Sequence, residues 1–157
     1  MGASIFFNEL AEDLSIPLGH NISVFQAEMY AVRLSISILE TPDEQIYICP
    51  DSKAMLLALR NPRVTSKLTW ECIQVLNELA YKIPVCLTWV PGHSGILGND
   101  KADTLAKTAS VQPYTGPEPA IPVTRNAVQA AIRQWANKEA LCHWQNTDSC
   151  KNCDYRI

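Results

Sequence analysis

"QIYICPDSKAMLLALRNP" (residues 45–62) sets an apolar run, an acid and a helical pattern end to end. QIYIC (45–49) has the length and character of a buried strand. Asp51 follows almost at once, and "SKAMLLALR" (52–60) reads as a helix that Asn61-Pro62 stops. The same order recurs downstream. "SKLTWECIQVLNELAYK" (66–82) predicts a helix with Leu68, Cys72, Val75 and Leu79 on one side. "IPVCLTWV" (83–90) predicts a second buried strand, and "PGHSGILGNDKAD" (91–103) a glycine-rich loop that runs into another helix. Asn99 is the expected N-cap of that last helix. Strand, helices, strand, helix is a parallel crossover unit, so the fold class is α/β, or α+β with a mixed sheet. In such a unit Asp51 and His93 both lie at the carboxyl edge of the sheet, where open α/β folds bind ligands.

Upstream, "ASIFF" (3–7) and "LSIPLG" (14–19) predict a hairpin around an acidic turn. "SVFQAEMYAVRLSISILE" (23–40) opens with Ser23 and Gln26 at capping-box spacing, and Pro42 ends it. Phe25, Met29, Val32, Ile36 and Leu39 form its apolar stripe. Downstream, residues 111–124 hold Pro113, Pro117, Pro119 and Pro122 and read as a linker. Residues 125–157 read as one amphipathic helix, striped by Val128, Ile132 and Trp135, and a tail. The expected division is therefore a domain over 1–110, the linker, and the C-terminal helix with its tail.

The chain has 157 residues, 47% hydrophobic and 18% charged, which describes a soluble globular protein. Its formal net charge is −3, so nucleic acid could be held only through local patches or bound cations. No signal peptide and no membrane-length apolar run is present, which places the protein inside the cell, in cytoplasm or nucleus. Cys49, Cys72 and Cys86 sit in apolar runs and are expected to act as small hydrophobes.

Four groups can carry chemistry. Asp51 could simply cap its helix. Glu28 lies between Phe25 and Val32 of the stripe, so it points near the core, where a carboxylate is costly unless paired or bound to a cation. A favourable charge at a helix N-terminus would explain an acid there, but not its inward angle. The same helix-terminus effect accounts for Asp100 and Asp103 at the start of their helix. His93, between Gly92 and Gly95, is a loop residue suited to handling protons, or merely a solvated one. Carboxylates converging at one sheet edge repel unless a cation sits among them. Hard oxygen ligands without a Cys or His cage suit Mg²⁺ or Mn²⁺. Two such ions roughly 4 Å apart can activate water and stabilise the leaving oxygen of a phosphodiester. The residues thus point to a metal-dependent phosphoryl hydrolase.

Three segments, "SVFQAEMYAV", "ICPDSKAMLLAL" and "LTWVPGHSGILGNDKADTLAK", resemble type 1 ribonuclease H in order and spacing. The resemblance is greatest to the ribonuclease H domain of non-LTR retrotransposon reverse transcriptases. It implies a ribonuclease H-like fold and hydrolysis of the RNA strand of an RNA–DNA hybrid with two Mg²⁺ or Mn²⁺ ions. It implies Glu28, Asp51 and Asp103 as metal-binding carboxylates and His93 as the loop histidine that assists turnover. An upstream polymerase domain is the implied partner, with no membrane.

The resemblance also implies a first central strand ending in an Asp, between the hairpin and the Asp51 strand. "MGAS" instead looks like the family's second strand, and no Asp precedes Asp13. Glu9, Glu12 and Asp13 fall in the hairpin turn, too late to substitute. Pro50 stands where the family has Ser or Thr. Cys150 and Cys153 would be half of a zinc site. The expectation is a ribonuclease H domain whose activity in this chain is little or none. The other reading is a truncated, catalytically dead remnant that at most binds nucleic acid or serves as a packing module.

Overall fold

The computed structural model describes residues 1–8, 13–39, 45–113 and 121–146. Glu9, Glu12, most of the proline-rich stretch (114–120), and Cys150 and Cys153 lie outside the described residues. The described elements are β1 (Gly2–Ile5), β2 (Leu14–Pro17), α1 (Val24–Ile38), β3 (Ile46–Ile48), α2 (Lys53–Arg60), α3 (Lys67–Lys82), β4 (Val85–Leu87), α4 (Leu97–Val111) and α5 (Arg125–Asn146). The chain forms two compact units, Met1–Pro122 and Val123–Ile157. Ile121 is buried and the Pro122 carbonyl accepts from Gln26 Nε2 at 2.7 Å, so the end of the expected linker belongs to the first unit.

The strands fall into two separate pairs. β1 and β2 run antiparallel, Gly2 opposite Pro17 through Ile5 opposite Leu14. β3 and β4 run parallel, Ile46 opposite Val85 through Ile48 opposite Leu87. The parallel pair is the expected crossover, with α2 and α3 as its connection. Among the described residues no strand joins the two pairs.

Alternation along the hairpin decides what each face meets. Ala3 and Ile5 are buried on one face, and Ala3 packs with Met29, Val32 and Ile36 of α1. Gly2, Ser4 and Ser15 turn to the other face, against α4. There Ser4 Oγ donates to the Ala102 carbonyl at 2.6 Å and Ser15 Oγ to the Leu105 carbonyl at 2.9 Å. Small side chains let the strands approach the helix backbone, and the hydroxyls satisfy themselves on it.

Both predicted helical stripes form the core. Met29, Val32 and Ile36 of α1 are buried, as are Leu68, Cys72 and Leu79 of α3. Ser23 closes a complete capping box with Gln26. Burial pushes the Cys72 thiol up to about 12, against a smaller lowering by Arg33, which makes it an inert core residue.

Several expectations are corrected. QIYIC is only half buried: Ile46 is inside, but Tyr47 is 65% exposed and Cys49 is exposed. Cys49 is therefore no core hydrophobe, because the alternate face of β3 is open. β4 is partly buried throughout, and Cys86 with it. In α5 no residue is buried, and Val128, Ile132 and Trp135 are 46%, 57% and 64% exposed. No helix among the described residues is long and apolar enough to cross a membrane.

Candidate active site

Asp51 follows β3 and is not the cap of α2. That role falls to Ser52, whose Oγ accepts from the Met55 amide at 3.2 Å. The Asp51 carboxylate is thereby left for other work. Pro50 lies beyond the last paired residue of β3, where a missing donor costs little, and its carbonyl still accepts from Val90 N at 3.0 Å.

Glu28 sits past the first turn of α1, which contains no acid, so the helix terminus does not explain it. It lines one cavity of about 770 Å³ together with Asp51 and Asp103. Its Oε2 is buried with no hydrogen-bond partner. Burial raises the Glu28 carboxyl above the usual carboxylate value, a Ser52 side-chain hydrogen bond opposes this, and the charges of Asp51 and Asp103 add to the rise. The three acids thus line one cavity, and the charges of Asp51 and Asp103 reach Glu28 across it. Among the described residues, however, no three His, Cys, Asp or Glu side chains are gathered closely enough to hold a metal ion. A divalent cation fits the donor chemistry and the orphaned Glu28 oxygen; the spacing is not that of a closed cage.

A pH test isolates this burden. With cations chelated, the folded chain keeps the Glu28 proton to higher pH than the unfolded chain, whose ordinary value is 4.5. No penalty exists below that value, and stability is lost as pH rises through the window above it. Glu28→Gln should therefore raise the melting temperature near neutral pH, with the gain vanishing in acid. A gain independent of pH would show that charge is not the cause.

α4 begins at Leu97, three residues earlier than an Asn99 cap requires; Ile96 occupies the N-cap with no side-chain bond. Asp100 is in the first turn, whereas Asp103 lies beyond it and is not explained by the helix terminus. His93 Nδ1 stands 2.7 Å from Asp103 Oδ2, a close contact outside hydrogen-bond geometry, and becomes an ion pair when the imidazole is protonated. The His93 side chain is 75% exposed. Its φ is +52°, in the left-handed region that non-glycine residues rarely occupy, and Gly95 at +79° completes the reversal. Gly92 has a separate reason: a Cβ there would lie 3.0 Å from Asp51 Oδ2. Gly92 therefore lets the loop backbone approach Asp51, beyond any freedom the glycines give the histidine.

Two neighbours were not legible as site residues. Trp89 Nε1 donates to the Asp51 carbonyl at 2.9 Å, and Lys53 Nζ lies 4.0 Å over the Trp89 ring. That stacked cation gives the acidic edge a basic and aromatic surface of the sort that contacts nucleic acid. The signal spans 38 residues and exists only once β3 and β4 pair.

The fold is thus a mixed α/β unit that brings acids from α1, the end of β3 and α4 to one cavity. The family model for RNase H matches residues 1–111. The chain belongs to the RNase H family, and its first unit is an RNase H domain with the corresponding mixed α/β fold.

Proposed function

We propose that the first unit is an RNA–DNA hybrid ribonuclease domain that acts in retrotransposon reverse transcription, beside a polymerase domain. The observation that carries the reading is the single cavity lined by Glu28, Asp51 and Asp103, with the Ser52 cap leaving Asp51 unengaged. Mg²⁺ or Mn²⁺ held by these oxygens would supply positive charge to a scissile phosphate and lower the pKa of an attacking water. Glu28, Asp51 and Asp103 are the ligands. His93, exposed and held over Asp103, is the group placed to carry a proton to or from the leaving oxygen. Lys53 on Trp89 positions a strand against the acidic edge, while contacts to 2′-hydroxyls select RNA.

The lack of a closed three-ligand cage among the described residues favours a second element in this reading: cleavage by the chain alone is weak. The alternative is a binding or packing module with no catalysis at all. Both are tested with labelled RNA–DNA hybrid, duplex RNA and duplex DNA in Mg²⁺ or Mn²⁺. Slow, metal-dependent cutting of only the hybrid's RNA strand is expected. Binding without any cutting at high enzyme concentration would establish the alternative.

A further inference from the structure

Residues 50–53 carry the chain from β3 into α2, and the segment after β4 grips that junction at three places. The Pro50 carbonyl accepts from Val90 N at 3.0 Å, and the Asp51 carbonyl accepts from Trp89 Nε1 at 2.9 Å. Ser52 caps α2, and Lys53 Nζ lies 4.0 Å over the ring of the same Trp89. One indole thus holds both sides of the cap, by its edge at Asp51 and by its face at Lys53. Between these grips the Asp51 carboxylate is left to line the acid cavity.

The ladder explains why a side chain is needed there. In a parallel pair, alternate residues of one strand bond to the other. Thr88 N donates to the Ile48 carbonyl and Val90 N to that of Pro50, so residues 46, 48 and 50 are the ones turned to β4. By the same alternation residue 50 would donate its own N–H to the Thr88 carbonyl, and proline has none. The cost in stability is small, but the last rung before Asp51 is half made. The Asp51 carbonyl is out of phase with the ladder and takes its donor from a side chain instead. Trp89 stands between the rung residues Thr88 and Val90, and its indole N–H, which can only donate, supplies that cross-strand bond one residue further on.

We propose that Trp89 is a positioning residue for Asp51: its indole stands in for the strand bond that Pro50 cannot make, and so fixes where the Asp51 carboxylate meets the cavity. That role rests on the reading of Asp51 as a cation ligand. The bond adds little to stability, because the place is partly exposed and water can replace a lost partner. Its effect is geometric. A ligand has to be held within about 0.5 Å of its working place, and a strand end with a half-made rung does not do that alone. Gly92 lets the loop close on the carboxylate, and the indole holds the backbone behind it. Lys53, the first residue of α2, keeps the ring turned so that its N–H stays on Asp51.

The test is a calorimetric Mn²⁺ titration of the full chain with no nucleic acid present, so that a lost strand contact cannot enter. Trp89→Phe keeps a ring under Lys53 and removes the N–H. It should weaken Mn²⁺ binding by about 3- to 10-fold, the worth of one net hydrogen bond. Pro50→Ala restores a main-chain donor, and in the Trp89→Phe background it should return the affinity to within about twofold of the parent. A role for Trp89 in packing alone predicts no such rescue. In the ¹⁵N-labelled parent without cations, the Trp89 indole N–H should exchange more slowly than those of Trp70, Trp135 and Trp144, although Trp89 is itself 39% exposed. Unchanged Mn²⁺ affinity in Trp89→Phe, a loss that Pro50→Ala does not repair, or an indole that exchanges like the other three would overturn the proposal. A parent that binds no Mn²⁺ while its Trp89 indole stays protected would instead overturn the cation reading, and the positioning role would fall with it.

Discussion

Asp51→Asn should abolish the protein's stabilisation by divalent cations. The replacement keeps the side chain's size and removes its charge, and α2 keeps its cap because that is Ser52. Without cations the variant should be slightly more stable than the parent, as one of the charges that burdens Glu28 is gone. With Mn²⁺ at tenfold its dissociation constant, the parent should gain about 1.4 kcal/mol by mass action. The variant should gain almost none. Residual hybrid cleavage should fall by about 100-fold or more, on the order seen when one charge-stabilising group leaves a catalytic centre. Thermal melts with and without Mn²⁺ read the first effect and a labelled hybrid the second. Equal Mn²⁺ stabilisation of parent and variant would remove Asp51 from the ligand set.

Gly2→Val should cost about 3 kcal/mol through overpacking, and lower the melting temperature by about 10 °C. A Cβ at Gly2 meets the Ala106 carbonyl, lies 2.5 Å from the Ala109 Cβ and 2.8 Å from the Ser110 amide. Most of these are helix backbone, which cannot step aside alone, so β1 and α4 must part. α4 carries Asp103, and the displacement should reach the site. Gly98→Ala is the control: its Cβ meets only the Phe6 ring, at 3.0 Å, and a ring can rotate. A Gly2→Val melt within about 2 °C of the parent would show that the strand–helix contact is looser than its geometry.

The helices were the most legible part of the sequence, because their cues are local. Ser23 and Gln26 are three residues apart, and Met29, Val32 and Ile36 repeat at the helical period, so chain order already contains the geometry. The parallel relation of β3 and β4 was legible as well, since two helices must separate strands that run the same way. Strand burial was misjudged. An apolar run such as QIYIC does not say whether both faces are covered, and here Tyr47 and Cys49 are exposed. The Asn99 cap failed because α4 starts three residues earlier, behind Ile96, which makes no side-chain cap bond, so no local capping cue marked that start.

Within the site, Glu28 was legible from its angle between Phe25 and Val32, and His93 from its glycine setting. The choice of Ser52 over Asp51 as cap was not, because both are good caps and only the backbone path decides between them. Trp89 and Lys53 were invisible for the same kind of reason, being joined by pairing across the crossover.

The sequence alone determined which residues could be helical, which acids had no comfortable local use, and the family to which its motifs point. Those are matters of spacing along the chain. Only the tertiary structure decided that the acids share a cavity, that Gly2 must be small, and that the Trp89 indole reaches the Asp51 carbonyl. Each of these depends on distances between segments tens of residues apart, and packing, rather than local preference, sets such distances.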